Sequence, residues 1–128
     1  MRLLLDTHAF IWWDDESPKL DAELRGAIAD PGNEVFVSSA CVWEIAIKRR
    51  RGKIDFMRDI SDAVASNGFL PLPVSHRHAE RAGSLPPHHG DPFDRMLVAQ
   101  ATIERMTLGT QDELIRAYGV ATIGLPPR

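Results

Sequence analysis

Hydrophobic residues along this chain fall into short continuous runs separated by longer stretches of mixed character. Leu3-Leu4-Leu5 ends at Asp6, and Val35-Phe36-Val37 ends at Ser38-Ser39. Runs that are short and apolar at consecutive positions predict strands covered on both faces. Three later segments read the same way: Phe69-Leu70-Pro71-Leu72, Thr107-Leu108-Gly109-Thr110 and Val120-Ala121-Thr122-Ile123. Pro71 has no N–H to give to a ladder, so its run is assigned to an edge or an irregular strand.

Between the runs lie segments of helical composition, at about residues 8–14, 18–29, 39–51, 56–67, 75–84 and 91–105, with a short one near 113–118. The helix 39–51 is expected to start with Ser39 as N-cap and to stop at Gly52, where a left-handed residue is tolerated. The helix 91–105 has Asp91 as N-cap and Pro92 at its first position, with Met96, Leu97 and Ala101 on its apolar face. Strands that alternate with helices need crossover connections. The expected fold is therefore α/β, a mainly parallel four- or five-stranded sheet in a three-layer α/β/α sandwich. With 128 residues, no internal repeat and no linker, residues 1–128 are read as a single domain, and Pro86-Pro87-His88-His89-Gly90 as a loop within it.

Parallel sheets bind ligands beyond the carboxyl ends of their strands, near the point where strand order reverses. Asp6 directly follows the first strand and Asp112 lies two residues beyond the fourth, while Glu44 and Asp94 fall in early turns of helices that begin near the same rim. Each acid also has a structural use. Asp6 can cap the helix after it, although a carboxylate closing a buried leucine strand needs a partner. Glu44 and Lys48 are spaced i,i+4 in the favourable order for an ion pair, and a helical wheel sets Glu44 opposite a Val42, Ile45 and Ala46 face. Asp91 is accounted for as a cap, Asp94 sits where the helix dipole favours an acid, and Asp112 can cap the last short helix.

Gathered together, ionised carboxylates repel one another, and their pKa values rise unless a hard divalent cation such as Mg²⁺ or Mn²⁺ shares the site. Such an assembly suits hydrolysis of a phosphodiester. Two rival readings stand beside it. One is a phosphotransferase with Asp6 as covalent nucleophile, although His8 and not a second aspartate lies two residues on. The other is an inactive binding module whose acids are caps and ion pairs.

Charge and cysteine content narrow the setting. The 15 Lys+Arg and 18 Asp+Glu give a net charge of −3, which argues against nucleic-acid binding driven by overall charge. A lone cysteine, Cys41, excludes an internal disulfide and reads as a small buried residue. Asp6 comes too early for a signal-peptide apolar region, and no apolar run approaches the ~20 residues that cross a bilayer. A cytoplasmic protein without a membrane partner is expected.

Three stretches then carry a resemblance. Leu3-Leu4-Leu5-Asp6-Thr7-His8, Trp43-Glu44-Ile45-Ala46-Ile47-Lys48 with Gly52-Lys53, and Asp91-Pro92-Phe93-Asp94-Arg95-Met96-Leu97-Val98-Ala99-Gln100-Ala101 resemble PIN-domain proteins, most of all the VapC-type toxins of bacterial type II toxin–antitoxin pairs. The likeness runs from residue 3 to about residue 123. It implies an endoribonuclease dependent on Mg²⁺ or Mn²⁺, in which an activated water cleaves RNA to leave a 3′-hydroxyl and a 5′-phosphate. It also implies a homodimer and a cognate antitoxin that covers or enters the site.

The site residues implied are Asp6, Glu44, Asp94 and Asp112, with Thr7 and Thr110 as polar supports. Asp94 is preferred to Asp91 because it heads the Asp-x-x-x-x-Ala pattern that ends at Ala99. Gly109 departs from the bulkier apolar residue expected in that strand.

Lys48-Arg49-Arg50-Arg51-Gly52-Lys53 fits either a solvated helix end or a set of RNA phosphate contacts, led by Lys48 and Arg49. Arg95 is a candidate for phosphate or for an ion pair. His76, His78, His88 and His89 are read as surface or loop residues, since none has the i,i+4 spacing of a metal helix. Trp12 and Trp13 follow Asp6 closely enough for one to stack on a base, with core packing as the alternative.

Overall fold

Leu3, Leu4 and Leu5 are completely buried. Neighbouring strand residues point to opposite faces, so both sides of their strand are covered. The computed structural model describes residues 1–127 and places this strand, β1 (Arg2–Leu5), at the centre of a sheet. The others are β2 (Glu34–Ser38), β3 (Leu70–Leu72), β4 (Thr107–Gly109) and β5 (Thr122–Ile123). Their order is β3-β2-β1-β4-β5 and every pairing is parallel, with Leu4 opposite Phe36 on one side and Leu108 on the other. The expected α/β architecture is present with the larger of the two strand counts, and Pro71 lies on the edge strand β3 as predicted.

The chain builds outward from β1 to β3 and then returns to the far side of β1 for β4. Strand order therefore reverses between β1 and β4, and a crevice opens at their carboxyl ends. Among the described residues, six α-helices make the connections: α1 (Thr7–Asp14), α2 (Ala22–Ala29), α3 (Ser39–Arg50), α4 (Ile60–Ser66), α5 (His76–Ser84) and α6 (Pro92–Glu104). A 3₁₀ helix at Glu113–Tyr118 precedes β5. Phe10 of α1 packs in the core with Phe56 and Phe69, at ring-centroid distances of 5.9 and 6.1 Å. Among the described residues, no helix is long and apolar enough to cross a membrane.

Several helices start later than their composition suggests, because an acidic or hydroxyl side chain fixes the first turn. Segment 18–29 becomes helical only at Ala22, where Asp21 accepts from the Leu24 N–H at 3.0 Å. Segment 56–67 begins at Ile60, with Asp59 accepting from the Asp62 N–H. In α3 the cap is Ser38 and not Ser39: the Ser38 hydroxyl accepts from the Ala40 N–H. Asp91 caps α6 as expected, accepting from the N–H groups of Phe93 and Asp94.

Gly109 is explained by its neighbours. A Cβ there would lie 2.9 Å from Leu24 Cδ1 and 3.1 Å from Leu5 Cδ2. The absent side chain lets Leu24 of α2 settle onto the β1–β4 seam, where the Asp6 N–H donates to the Gly109 carbonyl at 2.9 Å. Gly109→Val is expected to destabilise the protein by about 1–3 kcal/mol through overpacking. Urea denaturation measures this, and a midpoint equal to that of the wild type would show that the seam relaxes freely.

Candidate active site

Two strand ends and three helix starts converge at the crevice. Asp6 follows β1 and caps α1, its Oδ1 accepting from the Ala9 N–H at 2.8 Å. Its Oδ2 accepts from the hydroxyl of Thr110, the residue after β4, at 2.6 Å. The same hydroxyl accepts from the Asp112 N–H at 3.0 Å, so Thr110 joins the two acids. Asp112 caps the 3₁₀ helix with Oδ1 and turns Oδ2 toward His89 Nε2, 2.7 Å away. His89 Nε2 also lies 3.1 Å from Asp94 Oδ2.

Glu44 enters from α3. Its Oε1 accepts from the Thr7 hydroxyl at 2.5 Å, and Lys48 pairs with Oε2. The helical wheel assigned Glu44 to the side away from the core, yet only 4% of it is exposed. The inward stripe of α3 is Cys41, Glu44 and Ile45, a helical i, i+3, i+4 set. Burial is tolerable because both carboxylate oxygens are satisfied.

His89, Asp94 and Asp112 each offer a ligand atom, all within 4.8 Å of one another. Asp6 joins this group through Thr110, and Glu44 flanks it through Thr7. Cys41, beneath them, is close enough to feel the charges of Asp6, Glu44 and Asp94, and burial holds its thiol far above the ordinary range. It is a buried packing residue, as the sequence suggested.

Burial, and for Asp94 the crowding of other acids, raises two of the carboxylates. Asp94 is pushed up to about 7, first by burial and then by Asp91, Asp6 and Asp112, against the opposing pull of His89. Asp6 is also raised, by burial above all, although Thr110 and the Ala9 N–H pull it back. For His89, burial favours the neutral ring, but the Asp112 hydrogen bond and the charges of Asp94, Asp112 and Asp91 together raise its pKa. The set has the oxygen-rich composition that hard divalent cations take.

Sequence reasoning missed His89. Its proximity to the cap Asp91 was visible, but the fold of the intervening loop was not. Arg95 makes that fold, donating to the carbonyls of Ala82, Leu85, Pro86 and His89 at 2.9–3.4 Å. Its guanidinium is therefore taken up by a loop lacking backbone partners, in place of the phosphate contact considered from sequence. Arg49 is similarly engaged, with the carbonyls of Phe56 and Arg58. Lys48, at the edge of the pocket, stays partly exposed. His78 is a further correction: it is buried, forming a capping box with Ser75 at the start of α5. His76 and His88 are exposed, as expected.

The fold is a parallel α/β/α sandwich whose acids gather at the switch point between β1 and β4. A family model described as PIN domain matches residues 3–120, and the chain belongs to that family. It is 26% identical over 123 residues to Ribonuclease VapC22 of Mycobacterium tuberculosis (strain ATCC 25618 / H37Rv), which covers 91% of each chain. Its fold is similar to the structure of VapBC2 from Rickettsia felis bound to a promoter DNA fragment, with a TM-score of 0.66 at 14% identity, covering 96% of this chain and 98% of that one. FitAcB from Neisseria gonorrhoeae is also similar, with a TM-score of 0.63 at 18% identity over 94% and 96% of the two chains.

The raised groups set the pH dependence of the metal-free protein. A carboxyl whose pKa is higher folded than unfolded holds its proton in the native state after the unfolded chain has lost it. Stability therefore falls as pH rises toward the native value, and a raised His89 acts in the same direction. Thermal unfolding in EDTA is expected to show a falling midpoint between about pH 4 and pH 7, the span between the ordinary carboxylate value and that of Asp94, with a shallower slope in Asp94→Asn. An equally steep slope in that variant would remove Asp94 from the account.

Proposed function

We propose that this chain is a divalent-metal-dependent endoribonuclease and the toxin half of a toxin–antitoxin pair. The observation that carries the reading is the convergence of Asp6, Asp94 and Asp112 at the β1–β4 switch point, with Asp94 pushed up to about 7 by burial first and by the neighbouring acids second. The PIN domain match and the likeness to Ribonuclease VapC22 support it.

Asp94 and Asp112 are the proposed direct holders of Mg²⁺ or Mn²⁺, with Asp6 and Glu44 completing the ring directly or through water. A bound divalent ion supplies Lewis acidity toward a phosphoryl oxygen and lowers the pKa of water. The protein residues orient and restrain. Thr110 fixes Asp6 and the backbone of Asp112 together, and Thr7 fixes Glu44. Lys48 neutralises one oxygen of Glu44 and lies where it can meet an RNA phosphate.

A cognate antitoxin and a second copy of the chain are the protein partners this reading brings with it. Trp43, 64% exposed and edge-on to Phe93, stands between two apolar clefts of 570 and 510 Å³. Apolar surface of this kind supports association with protein.

Purified chain free of antitoxin is expected to cleave RNA with Mn²⁺ or Mg²⁺ and to stop in EDTA. Asp6→Asn and Asp94→Asn should each lower kcat/KM by on the order of 100-fold or more, as loss of one electrostatic element of an active site does. Cleavage that persists in EDTA, or full activity in Asp6→Asn, overturns the reading. Metal and proton compete for the same oxygens, so Mn²⁺ affinity measured by calorimetry should weaken as pH falls through about 7. Constant affinity across that range would contradict a site centred on Asp94.

A further inference from the structure

Beside the acids lies a small cavity of 220 Å³, lined by Asp6, His8, Ala9, Trp12, Gln111 and Asp112. It is smaller than the roughly 300–1,000 Å³ of pockets that enclose a whole small-molecule ligand. A space of this size takes one ring system and leaves the rest of the molecule outside. Its two ends differ in chemistry: Asp6 and Asp112 belong to the acid cluster, while His8 and Trp12 are aromatic. These two residues stand one turn apart on α1, with ring centroids 5.4 Å apart and planes tilted by 37°.

The two tryptophans of α1 have different surroundings. Trp13 is committed to the fold, its Nε1 donating to Asn67 Oδ1 at 3.1 Å and its ring set against Phe69. Trp12 is half-buried and also packs on the core with one side, but among the described residues its indole N–H has no hydrogen-bond partner and the ring lines the cavity. The wall opposite is already fixed. Gln111 accepts from the Asp21 N–H through Oε1 and donates from Nε2 to the Lys19 carbonyl, so its amide cannot swing into the space.

We propose that this cavity is a nucleobase subsite, in which a base adjacent to the scissile phosphate stacks on Trp12 beside His8. The inference rests on the ribonuclease reading and adds to it the residues that seat a base beside the cut. A phosphate placed at the acid cluster sets its neighbouring base within one nucleotide of the indole. An uncharged π-face is also the part of RNA that tolerates two carboxylates nearby. Stacking on an aromatic side chain accepts every base, so Trp12 supplies affinity and register without preference among bases.

The test is a cycle between protein and RNA. A fluorescein-labelled single-stranded RNA that the protein cleaves, or failing cleavage one that it binds, is prepared intact and with one abasic nucleotide scanned through its positions. Cleavage is followed with Mn²⁺ for the wild type, Trp12→Phe and Trp12→Leu. Binding is followed by anisotropy in the same variants carrying Asp6→Asn, which separates binding from cleavage. Trp12→Leu keeps apolar bulk and Trp12→Phe keeps a π-face, so a change confined to Trp12→Leu is not a loss of folding.

Removing the base at one position beside the cut is expected to cost the wild type about 5- to 150-fold, the range for one stacked base. Trp12→Leu should erase that difference and Trp12→Phe should retain most of it. Equal use of intact and abasic RNA by the wild type, or undiminished discrimination in Trp12→Leu, overturns the subsite. If no RNA is cleaved yet binding still discriminates through Trp12, the nuclease reading falls and the base subsite stands.

Discussion

The junction between β1 and β4 sets the terms for the rest of the molecule. There the Asp6 N–H donates to the Gly109 carbonyl, and the Thr110 hydroxyl donates to the Asp6 carboxylate. Two strands distant in sequence thus end in register, each followed at once by a polar residue. A carboxylate as buried as Asp6 is a net cost to folding. The surrounding leucine core offsets that cost, and the gain is an acid whose position is fixed before any ligand arrives. Function here draws on stability supplied elsewhere in the fold.

Capping and site roles are not alternatives in this arrangement, because a carboxylate has two oxygens. Asp6 caps α1 with Oδ1 and gives Oδ2 to Thr110. Asp112 caps the 3₁₀ helix with Oδ1 and presents Oδ2 to His89. Asp91 caps α6 with Oδ1, which places Asp94 in the first turn. Three helix starts therefore aim at one crevice, and their N-terminal dipoles partly offset the negative charge collected there. The offset is incomplete: burial first, and then the neighbouring acids, still push Asp94 up to about 7.

Most of this geometry was legible because it depends on local signals. Uninterrupted apolar runs marked the strands, Pro71 marked an edge, and Asp91-Pro92 marked the start of α6 to the residue. Acids just past strand ends then pointed to the crevice. What stayed hidden depends on contacts between distant segments. Glu44 looked outward on a wheel because its partner Thr7 belongs to another helix. Gly109 looked like a defect until Leu24 was seen to fill its place. The roles of Arg95 and His89 arise from a loop that ties its carbonyls to one guanidinium, and no periodicity encodes such a tie.

His89 illustrates how second contacts decide the role of a residue in a site of this kind. Its Nδ1 accepts from the Asp91 N–H at 3.1 Å, an arrangement that requires a lone pair there. The proton of a neutral ring must then sit on Nε2, directed at Asp112 and Asp94. For Nε2 to serve as a metal ligand, the proton would have to move to Nδ1, where it would oppose the Asp91 N–H. The hydrogen-bond pattern thus makes the ring a donor to Asp112, with the Asp94 carboxylate 3.1 Å from the same nitrogen, although its distances alone are compatible with ligation. A donor in that position fixes Asp112 and sets positive N–H polarity against Asp94, which eases the repulsion between carboxylates of two separate elements.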